Sequence, residues 1–349
     1  MPMPNPIRVR TAGPQSIESC RLLAILLLVA YHVIGASGDG GLQVTGAHPA
    51  RLAADFLADL RMPLFAFIAG FVYALRPAQP GQLAGFMTGK LRRLALPGAV
   101  AIATFMILSK VMDTRFAPGP DWWLNFFTSY AHYWFLQAIL LIFLFYCSLD
   151  ALTRGRFLLP SLIVSSLIYL LPLRIPSAFM SVNQAFYLLP YFILGIAFLR
   201  QAALIDANRK AVMSLCLVVA ALAAAASVSE FLETGQLSSN PRDLQSLGFG
   251  MAASALCFLV LPPLDLARRI GRFGFTIYLY HVFASSFVRR ALQGAGIEDF
   301  EVHLVLGIAT SIGLPILLHL AAARHPASAL LILGQHRFPL RHKVSRTHG

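Results

Sequence analysis

Arg21-Leu-Leu-Ala-Ile-Leu-Leu-Leu-Val-Ala-Tyr-His32 is an apolar run of helix length with a permanent cation at one end and an imidazole at the other. The two polar residues stand eleven positions apart. At about 100° per residue, that spacing returns the second side chain to within about 20° of the first. A rise of about 1.5 Å per residue separates them by roughly 16 Å along the axis. As a helix, the segment carries one stripe with a charged end and a deep polar end.

Composition decides what surrounds such a helix. Charged residues are 12% of the chain and the mean hydropathy is +0.69, whereas a soluble domain has about 25% charged residues. A soluble globular fold is excluded. The apolar residues gather into runs that approach or exceed the roughly 20 residues needed to cross a bilayer as a helix. Only helices or a closed barrel satisfy every backbone polar group in lipid. Runs such as 138–145 and 212–226 lack the alternation of a barrel strand. The expected fold is therefore all-α, a polytopic integral membrane protein of about ten transmembrane helices. After the first, spans are expected near residues 56–75, 91–112, 133–152, 157–173, 184–200, 212–228, 246–264, 273–288 and 302–323. Residues 1–16 read as a cytoplasmic tail, 17–323 as the membrane domain and 324–349 as a basic cytoplasmic tail. The start mimics a signal peptide, but a His and a Tyr in the apolar core and the many spans that follow favour a retained first helix. No internal repeat supports a repeat-built transporter.

The loops carry a charge signal. The tails and loops assigned to the cytoplasm hold 20 of the 28 Lys and Arg residues, and the opposite side holds 11 of the 15 acids. Cytoplasmic loops carry the Lys/Arg excess, so both termini are expected in the cytoplasm and the protein in the inner, cytoplasmic membrane. The net charge of +13 is then a topology signal with some attraction to membrane lipid, not a nucleic-acid footprint. Cys20, Cys147, Cys216 and Cys257 fall in or beside apolar runs without metal-ligand spacing, so free thiols and no metal are expected.

A histidine inside a span is a functional candidate by default. An uncharged imidazole at depth suits a general base acting on a hydroxyl, which makes His32 the candidate catalytic residue. A second basic cluster, Lys90-Leu-Arg-Arg93, enters the third span on the same side as Arg21. As an α-helix it places Lys90 and Arg93 on one face. Arg21, Lys90 and Arg93 together make a phosphate-binding set. The distance from Arg21 to His32 is comparable to an extended pantetheine arm.

These stretches carry a resemblance. The first span resembles the R-x10-H pattern of the membrane-bound acyltransferase-3 family (sugar O-acyltransferases), and Lys90-x-x-Arg93 resembles its R-x-x-R motif. Met62-Pro-Leu-Phe-Ala-Phe-Ile-Ala-Gly70, Tyr133-Trp-Phe-Leu136 and Gly271-Arg-Phe-Gly-Phe-Thr-Ile-Tyr-Leu-Tyr-His281 are similar to further stretches of that family. The resemblance runs from about residue 17 to residue 320. It implies transfer of an acyl group, usually acetyl from acetyl-CoA, to a carbohydrate hydroxyl of a cell-envelope or exported glycan, with the donor on the cytoplasmic side. It implies His32 as base and Arg21 and Arg93 as donor-binding cations. Lys90 departs from the usual Arg, keeping the charge but losing the bidentate fork. Ala69 and Gly274 stand where Ser is common, so no hydroxyl role is borrowed there.

Further candidates for binding the acceptor, a carbohydrate or glycolipid, are Asp55 and Asp59 at the start of the second span, Trp134 at the outer mouth, and Tyr278 and His281 within the ninth. The same sequence admits a rival from another class, a glycolipid or polyol transporter or flippase without acyl transfer. It also admits an acyltransferase acting on an amine or a lipid. Acceptor, acyl chain and oligomeric state are not legible in the sequence.

Overall fold

The computed structural model describes residues 14–35, 41–171, 175, 179–235, 237 and 242–335. Among them every regular element is helical. In chain order these are α1 (Pro14–Ile34), α2 (Pro49–Phe56), α3 (Ala58–Leu75), α4 (Leu83–Lys90), α5 (Leu96–Val111), α6 (Trp134–Leu152), α7 (Leu158–Leu170) and α8 (Val182–Arg200). They continue as α9 (Ala202–Ala207), α10 (Arg209–Thr234), α11 (Leu244–Val260), α12 (Asp265–Gly271), α13 (Gly274–Gly294), α14 (Phe300–Ala322) and α15 (Pro326–Leu333). A π-helical turn, Leu91–Ala95, joins α4 to α5.

A helix stands at each of the ten positions where a span is expected. Among the described residues, seven helical stretches are long and apolar enough to cross a membrane. Leu158–Leu170 and Leu244–Val260 are shorter apolar helices. α13 has the length, at 21 residues, but interrupts its apolar character with Tyr, His and two arginines. The outer faces suit lipid. Leu232 of α10 is 77% exposed and Phe145 of α6 is 73% exposed, with Leu215, Leu217 and Leu222 open beside them. Apolar surface on this scale is not left in water by a soluble monomer.

The core forms where backbones approach closely. α3 packs along α8, and a Cβ on Gly70 would fall 1.8 Å from the Phe192 carbonyl oxygen, one on Gly195 2.0 Å from that of Phe67. Two glycines facing each other's helix let the axes meet, as small residues do at membrane helix interfaces. Several polar groups inside bridge neighbouring helices. Tyr133, fully buried, places its hydroxyl 3.3 Å from the Ala101 carbonyl and 3.2 Å from that of Leu279, so that it bonds α5 and α13 from the turn before α6. Arg200 donates two bonds of 2.7 Å to Asp150, which also accepts from the Tyr73 hydroxyl at 2.8 Å. That cluster clamps the ends of α3, α6 and α8.

α1 ends early. Gly35 turns the chain at φ +115°, a conformation that favours glycine, and the Leu42 amide then bonds the Val33 and Ile34 carbonyls. α13 and α14 run on past this point. His281, the eighth residue of α13, lies beside His32 of α1's last turn, so α13 continues for about 20 Å beyond it. Val33 packs against Gly307, eight residues into α14. His32 thus reaches depth because its helix stops inside the bundle, a recess that counting along α1 alone does not reveal.

Candidate active site

Two cavities occupy the bundle, one towards each end. The first, about 1120 Å³, is lined by Arg21, Lys90, Arg92, Arg93 and Arg272 at its rim and by Phe65, Ala69, Phe135 and Ile139 further in. The second, about 1020 Å³, opens at the opposite end and is lined by His32, Tyr31, Arg61, His132 and Trp134, with the later turns of α13. Each is at or above the upper end of the range for small-molecule sites. Tyr278 lines both. Its ring lies 5.6 Å from that of Phe135, which lies 5.8 Å from that of Phe65. These three rings form a septum between the cavities, and the Tyr278 hydroxyl pins it by donating to the His132 carbonyl at 2.8 Å.

Arg21 and His32 therefore belong to one helix but to different chambers. Arg21 is partly engaged, since its Nη1 lies 2.6 Å from both oxygens of Glu18. The Lys90 ammonium sits 3.5 Å from the centre of the Phe143 ring, a cation–π contact that holds it at the cavity wall. The Lys90–Arg93 pair is not on α-helical geometry. The turn Leu91–Ala95 is π, with Leu96 N–H bonding Leu91 O, and π-bulges recur at functional sites. The wider turn puts Lys90, Arg92 and Arg93 on the same cavity together. Arg92 and Arg272 were not among the sequence candidates, although each stands inside a quoted motif.

On the far side of the septum three imidazoles meet. The His32 ring centre is 5.0 Å from that of His281 and 5.8 Å from that of His132, and the last two are 5.3 Å apart. His281 is completely buried. Its Nδ1 is 3.0 Å from the Ile277 carbonyl and 2.9 Å from the Tyr278 carbonyl. Carbonyls only accept, so Nδ1 carries the proton and Nε2 keeps a lone pair. That Nε2 and the Nε2 of His132 are buried without a hydrogen-bond partner. Unpaired buried nitrogens beside a cavity are where a reacting group finds a partner. Among the described residues no group of three or more His, Cys, Asp or Glu side chains is placed to hold a metal ion.

The other candidates divide. Trp134 and Tyr278 line the outer cavity. His281 stands behind His32 rather than on the cavity surface. Asp55 is ion-paired with Arg51 at 2.7 Å, and neither it nor Asp59 lines either cavity. No carboxylate orients His32 by a hydrogen bond among the described residues; its neighbours are imidazoles. His132 becomes prominent only in three dimensions, because a short turn, Ala131–Tyr133, swings it inward ahead of α6.

Comparison with known families agrees with this geometry. A family model described as an acyltransferase domain, Acyl_transf_3, matches residues 15–320.

The chain belongs to that acyltransferase family.

The match takes in all three histidines and every cavity-lining residue named above. Comparison with curated proteins and with solved structures gave no match.

Proposed function

We propose that this membrane acyltransferase moves an acyl group, acetyl in the simplest case, from acyl-CoA on the cytoplasmic side to a hydroxyl of a cell-envelope or exported carbohydrate. The observation that carries the reading is the pair of cavities, one rimmed by cations and one holding His32, which share Tyr278. The donor's phosphates bind Arg21, Lys90 and Arg93, with Arg92 and Arg272 beside them, by charge-assisted hydrogen bonds. The pantetheine arm follows α1 to the septum, and transfer requires the Tyr278, Phe135 and Phe65 rings to part so that the thioester carbonyl meets the acceptor hydroxyl at His32 beyond them. His32 takes the hydroxyl proton as the oxygen attacks the carbonyl carbon. The C–S bond then breaks, the ester forms, and the CoA sulfur leaves with the electron pair and recovers a proton. His281, with its acceptor nitrogen uncommitted, supports the cation that forms on His32, the part a third group plays behind a catalytic base. In this reading ten helices cross the inner membrane and both termini are cytoplasmic, which the distribution of loop charges supports.

The test uses the full-length protein in lipid nanodiscs with acetyl-CoA and a panel of saccharides, following free CoA thiol and acetylated sugar together. Saccharide-dependent thiol release is expected, and His32→Ala should lower it by at least about a hundredfold, the low end for loss of a general base. Transfer at the parent rate in H32A would overturn this reading.

A further inference from the structure

The outer cavity is cationic in a way that membrane topology does not explain. Its wall includes Arg61, Arg115, Arg289 and Arg290, and no Asp or Glu is among its described residues. Yet this is the side with only 8 of the chain's 28 Lys and Arg residues and 11 of its 15 acids. Half of the scarce cations on that side face one chamber, and the abundant acids stay off its wall. Positive-inside anchoring sets which side holds the cations, not which chamber they face.

The arginines are also placed for binding. The Arg61 guanidinium carbon lies 3.5 Å from the centre of the Tyr31 ring, beside the catalytic candidate, and its Nε is buried without a hydrogen-bond partner. Asp55, one turn before α3, is committed to Arg51. Arg289 donates to the Gly41 carbonyl, which uses one of the five donors of its fork. Arg290, next to it, is exposed. The surrounding wall includes Phe105, Phe283 and Met62, an apolar lining that strengthens interaction with an opposite charge.

We infer that the acceptor is an acidic carbohydrate, whose carboxylate or phosphate ester docks on Arg61, Arg289 and Arg290 while a neighbouring hydroxyl reaches His32. A guanidinium fork binds either oxyanion with two parallel bonds. A neutral sugar would leave the buried Arg61 with only the Tyr31 ring and the more distant Asp55 and Asp59 to offset its charge, and no oxyanion on its fork. The inference rests on the acyl-transfer reading for the word acceptor, but the anion site stands on the arginines themselves.

The experiment measures binding separately from transfer. Full-length protein in neutral-lipid nanodiscs is titrated calorimetrically with methyl glucuronide, glucose 6-phosphate and methyl glucoside. At least one charged sugar is expected to bind about tenfold or more tightly than the glucoside, and that preference should shrink when salt is raised and in Arg289→Gln and Arg290→Gln. The tighter of the two charged sugars identifies the oxyanion as carboxylate or phosphate. Equal affinity for all three, or no binding of a charged sugar, overturns the inference; because it is read on the unaltered protein, a misfolded variant does not hide it. Free CoA thiol is followed in parallel with acetyl-CoA. Tight binding of a charged sugar with no acyl transfer to any sugar supports the anion site and overturns the acyl-transfer reading. Equal transfer to charged and neutral sugars does the opposite.

Discussion

His32 sits among rings rather than carboxylates, and the proposed mechanism gives its neighbours distinct parts. His281 is locked by two carbonyls at Nδ1 and cannot swing into the cavity to replace His32. In the proposed mechanism its contribution is made at Nε2, which is buried without a partner, towards a protonated neighbour. His281→Gln is accordingly expected to lower kcat by about tenfold or more while KM for acyl-CoA stays near the parent value, since an interaction made only as charge develops is lost from kcat. A parallel rise in KM, seen in steady-state kinetics with the best acceptor, would assign His281 to donor binding instead. Arg21, His32, Tyr278 and His281 were legible as candidates because each sits in a short motif. His132 was not, because what makes it matter is its distance from two rings that are 100 and 149 residues away in the chain.

At the scale of elements, the helices are held by a few polar clamps set in apolar packing. Asp150 has a side chain only 3% exposed and accepts from both Arg200 and Tyr73. Removing one partner of such a pair leaves an uncompensated charge, which typically costs about 3 kcal/mol or more, whereas removing both with an apolar replacement costs far less. Asp150→Ala should lower the thermal unfolding midpoint of the detergent-solubilised protein markedly, and adding Arg200→Leu should restore part of the loss. If the double variant unfolds no later than the single one, the clamp is not an energetic unit. The π turn at Leu91–Ala95 is the element where pattern reading went astray. An i, i+3 rule assumes α geometry, and the extra residue in the turn changes which side chains share a face. Lys90 and Arg93 still line one cavity, joined there by Arg92.

At the scale of the molecule, the two chambers meet at an aromatic septum that includes Tyr278, so in the proposed reaction donor and acceptor approach from opposite ends. The proposed use of acyl-CoA needs the basic cavity on the cytoplasmic side. A green fluorescent protein fused after Gly349 should fluoresce and an alkaline phosphatase fused there should be inactive, as for a terminus in the cytoplasm. The reverse pattern would invert the molecule and separate the basic cavity from its donor.

Composition and apolar run length were enough to establish helices in a membrane, because lipid admits few other backbones. Short motifs were enough to pick out a cation and an imidazole on one stripe. Depth, partners and chamber were beyond them. His32 is deep because α13 and α14 outrun α1, it faces imidazoles because α13 and the turn ahead of α6 deliver them, and it is parted from Arg21 by rings from three other helices. Those facts are set by how helices distant in sequence pack together, and periodicity within a single helix carries no record of what stands opposite it.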